Sequence, residues 1–419
     1  MQRVRFILMT LVVFVCTSLQ AQRHEIFDEQ IHTLQVVANN DWLSMPVMKL
    51  NEGFLDIDFD DFTHEYRRFT YKIEHCEADW SVSESLFESE YVAGFANGNT
   101  IDDVQESLLT DFLYTHYHLQ IPNDKCQLKL SGNYKLTVYD DNDDEKPVLT
   151  ACFMVVEPKM GVAIRATSNT VVDVNMAHQQ VAMDVTFNSL HVVDYSSQIK
   201  TVVLQNGRWD DARWNAIPQY ITPDGLGWSW DFGKSLLFNG GNEYHKFETL
   251  STDHPTMGID RLSWDGHQYH AYLYTDVSRP NYVYDEDANG AYYIRNSDNN
   301  NNNYQSEYLW VHFQMESPER ISNGSVYVNG YWTYDRFLPQ YQLAYDDEKH
   351  MYKGDILLKQ GYYSYQYVLL DKEGNTHVVP TEGNFFQTEN KYQALVYYRE
   401  QGARTDQLVG YQQVTFPAR

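Results

Sequence analysis

The stretch Tyr71–Trp80, YKIEHCEADW, places a histidine, a cysteine, two glutamates and an aspartate within ten positions. Histidine supplies acid/base or metal chemistry near neutral pH. Cysteine supplies a nucleophile or a soft ligand. A Cys–His nucleophile needs thiolate and imidazole in contact. Neighbours on a strand point to opposite faces, so His75 and Cys76 diverge. His116 or His118 of THYHLQIPN could serve as a partner, but no motif links them to Cys76. The simpler reading makes Cys76 a small core residue and His75 a satisfied polar one. The spacings match no closed zinc site.

A second candidate is YDEDANGAYYI. Asp285, Asp287 and Asn289, followed by Gly290, fit the opening of a calcium loop. The bidentate acid of such a loop belongs at its twelfth position, which here is Asn296. Asn-Gly is a turn dipeptide by itself, and alternating tyrosines flank it, so a hairpin is the leading reading. Adjacent acids such as Asp60 with Asp61 do not make a glycosidase, which needs two acids across a sugar. The chain carries no G-x-S-x-G, P-loop, H-E-x-x-H or dinucleotide fingerprint. A non-enzymatic chain without a cofactor is expected.

The elements that would hold these residues are strands. FLDIDFDDF puts Leu55, Ile57 and Phe59 on one face and Asp56, Asp58 and Asp60 on the other. The same alternation recurs in RFTYKIEH, NYKLTVYD, QVAMDVTFN, YLWVHFQM and YSYQYVLLD. Period-two alternation marks half-buried antiparallel strands. Turn signals separate them, and no long helical period appears beyond the leader. The fold class is all-β, with tandem immunoglobulin-like or early-set β-sandwiches after a cleaved signal peptide.

That leader is residues 1–21. Arg3 and Arg5 form its basic end, an apolar run follows, and Ala21 sits at the cleavage position. Removing both arginines takes the formal charge from −27 to −29. So acidic a surface repels nucleic acid and anionic lipid. With no later apolar run long enough to span a bilayer, an exported, soluble chain is expected. Three cysteines then remain, Cys76, Cys126 and Cys152; an odd number cannot all pair within one chain. The expected units are an N-terminal sandwich at 22–157, a second at 158–296 reached through a hinge at Pro158, a solvated Asn-rich loop at 297–307, and a third sandwich at 308–419. Aromatic residues make up 15% of the chain, with 33 tyrosines. Strands alone account for tyrosine enrichment; partner or sugar contacts are the alternative.

The third unit, SNGSVYVNGYWTYDRF followed by YDDEKHMYKGDILLKQGYYSYQYVLLDKEGN, looks like an early-set immunoglobulin-like domain of the glycogen-binding type. That resemblance nominates Trp332 as a sugar-stacking residue and an exported glycan-binding protein as the alternative function.

The motifs FDDF, YKIEHCEADW, TDFLYTHYHLQIPN, LSGNYKLTVYD and FMVVE, with EGNFFQTENKYQALVYYREQGARTDQLVGYQQV at the far end, together resemble the type IX secretion system plug protein family. The resemblance implies a non-catalytic body in the periplasm, peripheral to the outer membrane and monomeric when free. Its partner would be the giant β-barrel translocon of that system, whose pore it would seal when no cargo is present. Glu389, Asn390, Tyr392, Arg399, Arg404 and Asp406 are the candidate partner-binding residues within the matching C-terminal motif; for Arg399, Arg404 and Asp406 a buried structural role is the leading reading. YQALVYY reads as a closing strand of the third sandwich.

Overall fold

In the computed structural model of the chain, the described residues are 24–143, 146–229 and 233–417. The expected signal peptide lies outside them. Among these residues the fold is all-β, as the alternation predicts. Its α-helix is confined to two single turns, Glu88–Tyr91 and Tyr195–Gln198.

In the first sandwich, Leu55–Asp61 lies between Ile31–Ala38 and Thr115–Ile121, all antiparallel. The facing sheet is built on Gly132–Asp140, flanked by Phe69–Cys76 and Lys146–Val156. Inward residues such as Ile57, Phe59, Tyr71, Ile73, Leu136 and Val138 close the core between them.

In the second sandwich, His178–Thr186 pairs with Gly161–Thr167, Gly225–Trp228 and Leu237–Asn239. The opposing sheet contains Ile199–Gln205 beside Asn390–Tyr398, which pairs in turn with Gln407–Phe416. The expectation that YQALVYY closes the third sandwich is therefore corrected. The physical reason is two-sided burial. Tyr392, Ala394, Val396 and Tyr398 face the core of the second sandwich. Leu395 and Tyr397 face the first sandwich, beside Trp80, Met154 and Trp209. A strand covered on both faces belongs in a sheet sandwiched between layers.

The third sandwich is thus inserted between Leu237–Asn239 and Asn390–Tyr398. Its central strands are Tyr308–Glu316, paired with Met351–Lys359 and Tyr269–Leu273, and Gly361–Asp371, paired with His245–Glu248, Tyr292–Ile294, Gly324–Asn329 and Thr376–Val378. The pairing carries strands from before position 296 into this body, so the expected break at 297–307 does not divide two sandwiches. That Asn-rich stretch is also more than a solvated loop. Asn296 Nδ2 donates to Ser306 Oγ at 2.9 Å, and the backbone amide of Asn301 donates to Gln305 Oε1 at 2.9 Å. At the expected hinge, Lys159 and Met160 donate their amides to Val409 O at 2.9 and 3.0 Å. This linker is pinned to a C-terminal strand.

Candidate functional site: the junctions between the sandwiches

The residues of YKIEHCEADW build the junction between the first and second sandwiches. His75 is the penultimate residue of the strand Phe69–Cys76, with its ring inward. Its Nδ1 lies 2.9 Å from Ser83 Oγ and its Nε2 3.1 Å from Ser131 O. Burial pushes its pKa down to about 4. Gly132 packs against the ring; a Cβ there would stand 2.2 Å from Nε2. Cys76 faces away, and burial pushes its thiol up to about 12. A neutral imidazole and a protonated thiol on opposite faces cannot act as a nucleophilic pair. Cys76, Cys126 and Cys152 are all buried free thiols.

The acids of the motif reach across to the C-terminal strands. Glu77 Oε2 accepts from Arg399 Nη2 at 2.6 Å and from the Asp406 amide at 2.8 Å. Asp406 accepts from Arg399 Nε at 2.8 Å, Lys200 Nζ at 2.7 Å and the Ala78 amide at 3.1 Å. Burial alone would raise the Asp406 pKa, but Lys200 and Arg399 outweigh it and hold the carboxyl below its usual range. Asn133 donates to Glu77 O at 2.9 Å and accepts from Tyr397 at 2.9 Å. Farther out, Arg404 Nη1 donates to Ser85 O at 2.9 Å and pairs with Glu90.

The first and third sandwiches meet through a ladder of opposite charges. Asp58 and Asp60 project outward from Leu55–Asp61, and His116 and His118 from its neighbour Thr115–Ile121. His118 Nδ1 lies 2.8 Å from Asp58 Oδ1, and His116 Nδ1 lies 2.8 Å from Asp60 Oδ1. The ladder ends on Lys359 of the third sandwich, whose Nζ is 2.6 Å from Asp60 Oδ2. The Tyr308 hydroxyl donates to the same oxygen at 2.6 Å. Burial works against ionised Asp60, but Lys359 and His116 outweigh it and keep its pKa below the usual value. For His116 the hydrogen bonds to Asp58 and Asp60 overcome burial and raise the pKa. Lys359 Nζ also reaches Asn303 O, which ties the Asn-rich loop into the latch. The second and third sandwiches join where Thr376 donates to Asp210 Oδ2 at 2.9 Å and the Trp209 amide donates to Asp335 Oδ2 at 3.1 Å.

Several expected site residues lie elsewhere than foreseen. Trp332 is 5% exposed and packs edge-on to Tyr363 and Tyr341 at 5.7 and 5.9 Å; its ring face is not open for a sugar. Asp285 pairs with Lys246 at 2.6 Å, and Asp287 accepts the amides of Tyr244 and Asn289, each at 2.5 Å. These acids are engaged by donors of the chain and do not converge as calcium ligands. No group of three or more His, Cys, Asp or Glu side chains is placed to hold a metal ion among the described residues. The turn at Asn289 is present, but the residues before Asp287 form no strand, so the expected hairpin is not made. Asn390 and Tyr392 are buried, bonded to Gln179 at 3.0 and 2.6 Å, and Asp406 is buried in the clamp; none of the three faces outward. The Glu389 amide donates to Glu243 at 3.2 Å. Arg399 and Arg404 keep partial exposure, yet both serve the clamp.

The sequence reading missed the Asp60–Lys359 latch. Its signal was present in two facing period-two rows, Asp56/Asp58/Asp60 and His116/His118, which suit cross-strand pairing. Lys359, from the far end of the chain, had no such signal.

Comparison with known proteins gives a consistent placement. Residues 31–157 match the type 9 secretion system plug protein 1st domain. A crystal structure of a hypothetical protein from Parabacteroides merdae ATCC 43184 is 35% identical. It covers 94% of this chain and 99% of its own, with a TM-score of 0.89. Collagen adhesin (CNA) from S. aureus, at 9% identity over 92% of this chain and 91% of its own, has a TM-score of 0.11 and carries no argument. No curated protein sequence matches. The first-domain match and the full-length likeness span the motifs described above, and the chain belongs to the type IX secretion system plug protein family.

Proposed function

We propose that this protein is a non-catalytic plug. It docks on the periplasmic mouth of the giant outer-membrane translocon of type IX secretion and seals the pore when no cargo occupies it. The supporting observation is the locking of three sandwiches into one body. Buried ion pairs and hydrogen bonds close the junctions, and the expected hinge is bonded to a C-terminal strand. A steric seal needs a body that keeps its shape against the flow it blocks. Among the described residues no helix is long and apolar enough to cross a membrane, which suits a peripheral position.

A plug must also leave. A polar interface of modest affinity serves that better than an obligate hydrophobic one. The acidic surface steers the body towards a basic rim on its partner, and this attraction weakens as salt rises. Affinity capture of the tagged chain from solubilised envelopes, with identification by mass, tests the reading. Recovery of a very large β-barrel, reduced at higher salt, supports it. A chain that stays free in the periplasm and captures nothing overturns it.

A further inference from the structure

Beside the Asp60–Lys359 latch the first and third sandwiches part, leaving a cavity of about 570 Å³. Two of its walls are strand edges. One is the start of Ile31–Ala38, where Ile31, His32 and Thr33 line the cavity; this strand is the outermost of its sheet, and its sole strand partner among the described residues is Leu55–Asp61. The other is Met351–Lys359. The short strand Ala344–Asp346 covers its outer side over Met351–Lys353 and ends there. Asp355, Ile356, Leu357 and Leu358 then line the cavity, with no strand paired to them on that side among the described residues. At about 3.3 Å per residue, those four residues offer roughly 13 Å of open backbone.

An uncovered edge presents N–H and C=O groups that seek a strand, and soluble proteins normally blunt it. Here one carbonyl is blunted: Leu34 O accepts the hydroxyls of Tyr292 and Tyr334, each at 2.8 Å. The rest of the edge is screened by the cleft itself. Trp310, Leu338 and Tyr341 add apolar surface to the walls. The charge on the walls is unequal. Arg336 is neutralised by Glu25 at 2.7 Å, and Asp28 by Arg67 at 2.9 Å. Exposed Glu29 and Asp355 are left to give the opening a negative sign, with His312 Nδ1 2.6 Å from Asp355 Oδ1.

We propose that this cleft binds an extended peptide by edge pairing, with a lysine or arginine of the peptide set against Glu29 and Asp355. Main-chain hydrogen bonds supply affinity in this mode, and alternate side chains supply specificity. The volume lies within the range that holds small ligands. The inference stands apart from the plug reading and needs no translocon.

The test uses the full chain without residues 1–21 and a fluorescein-labelled acetyl-Val-Lys-Val-Lys-Val-amide, read by anisotropy. Saturable binding is expected. The same peptide N-methylated at alternate backbone nitrogens should bind about ten-fold more weakly, as for the loss of one or two net hydrogen bonds. The Glu29→Lys/Asp355→Lys variant changes exposed residues outside the core, and should weaken binding several-fold while leaving the melting temperature in place. Absence of saturable binding overturns the proposal, as does equal binding of the N-methylated peptide or no response to charge reversal. Displacement of the peptide by maltoheptaose would also overturn it, reassigning the aromatic wall to sugar.

Discussion

Lys359 Nζ and Asp60 Oδ2 lie 2.6 Å apart, with side chains 2% and 1% exposed, although 299 positions separate them in the chain. One belongs to the third sandwich and the other to the first. A buried pair of this kind is costly to break, because either charge alone is stranded without water.

Lys359→Met should therefore lower stability by about 3 kcal/mol or more. Adding Asp60→Asn should recover part of that loss, since the stranded carboxylate is then gone. Urea or thermal unfolding of the two variants checks this. Equal stability of wild type and Lys359→Met would show that the latch carries no weight.

His116 and His118 give the latch a pH dependence. Hydrogen bonding to Asp58 is the largest influence on His118, and for His116 the Asp58 and Asp60 contacts exceed burial; both folded pKa values lie above the ordinary 6.5. Their contribution is complete below about pH 6.5 and is lost as pH rises through the folded values. Wild type should exceed His118→Asn in melting temperature near pH 6, and the gap should close by about pH 9. The depressed His75 acts in the opposite sense, losing its contribution as pH falls from 6.5 to about 4. It cancels in this difference because both proteins carry it. A gap that widens with pH would contradict the assignment.

The clamp predicts unequal effects along one short segment. Asp406→Ala removes the acceptor shared by Lys200, Arg399 and the Ala78 amide, and should cost about 2–3 kcal/mol. Arg404, with its side chain 47% exposed, makes a surface pair with Glu90. Arg404→Ala should stay within about 1 kcal/mol. Melting temperatures of the two variants make the comparison, and the reverse order would refute the clamp.

Trp332→Ala should behave as a core truncation, losing about 3–5 kcal/mol, whatever sugars are present. Calorimetric unfolding with and without glucans distinguishes this from a binding-site effect. A fully stable variant that had merely lost glucan binding would restore the sugar-stacking role.

Strand positions were legible from the chain because period-two alternation survives wherever one face meets a core. Ile57 and Phe59 went inward and Asp58 outward, as read. Partner choice was not legible. Asn390–Tyr398 is apolar on both faces from Ala394 onward, so alternation could not say which sheet receives it; the answer depends on Ile199–Gln205, nearly two hundred positions earlier. The chemistry suggested by YKIEHCEADW dissolved for a related reason. His75 and Glu77 owe their roles to Ser131, Arg399 and Asp406, and distant contacts of this kind leave no local spacing. Trp332 was misplaced because a tryptophan next to a strand end looks the same in sequence whether it lines a core or a surface.

The most direct test of the plug is electrical. The purified translocon would be placed in a planar bilayer and the chain added to the periplasmic side. Ionic current should fall as the chain binds and return when salt is raised. Undiminished current with the chain demonstrably bound would contradict it.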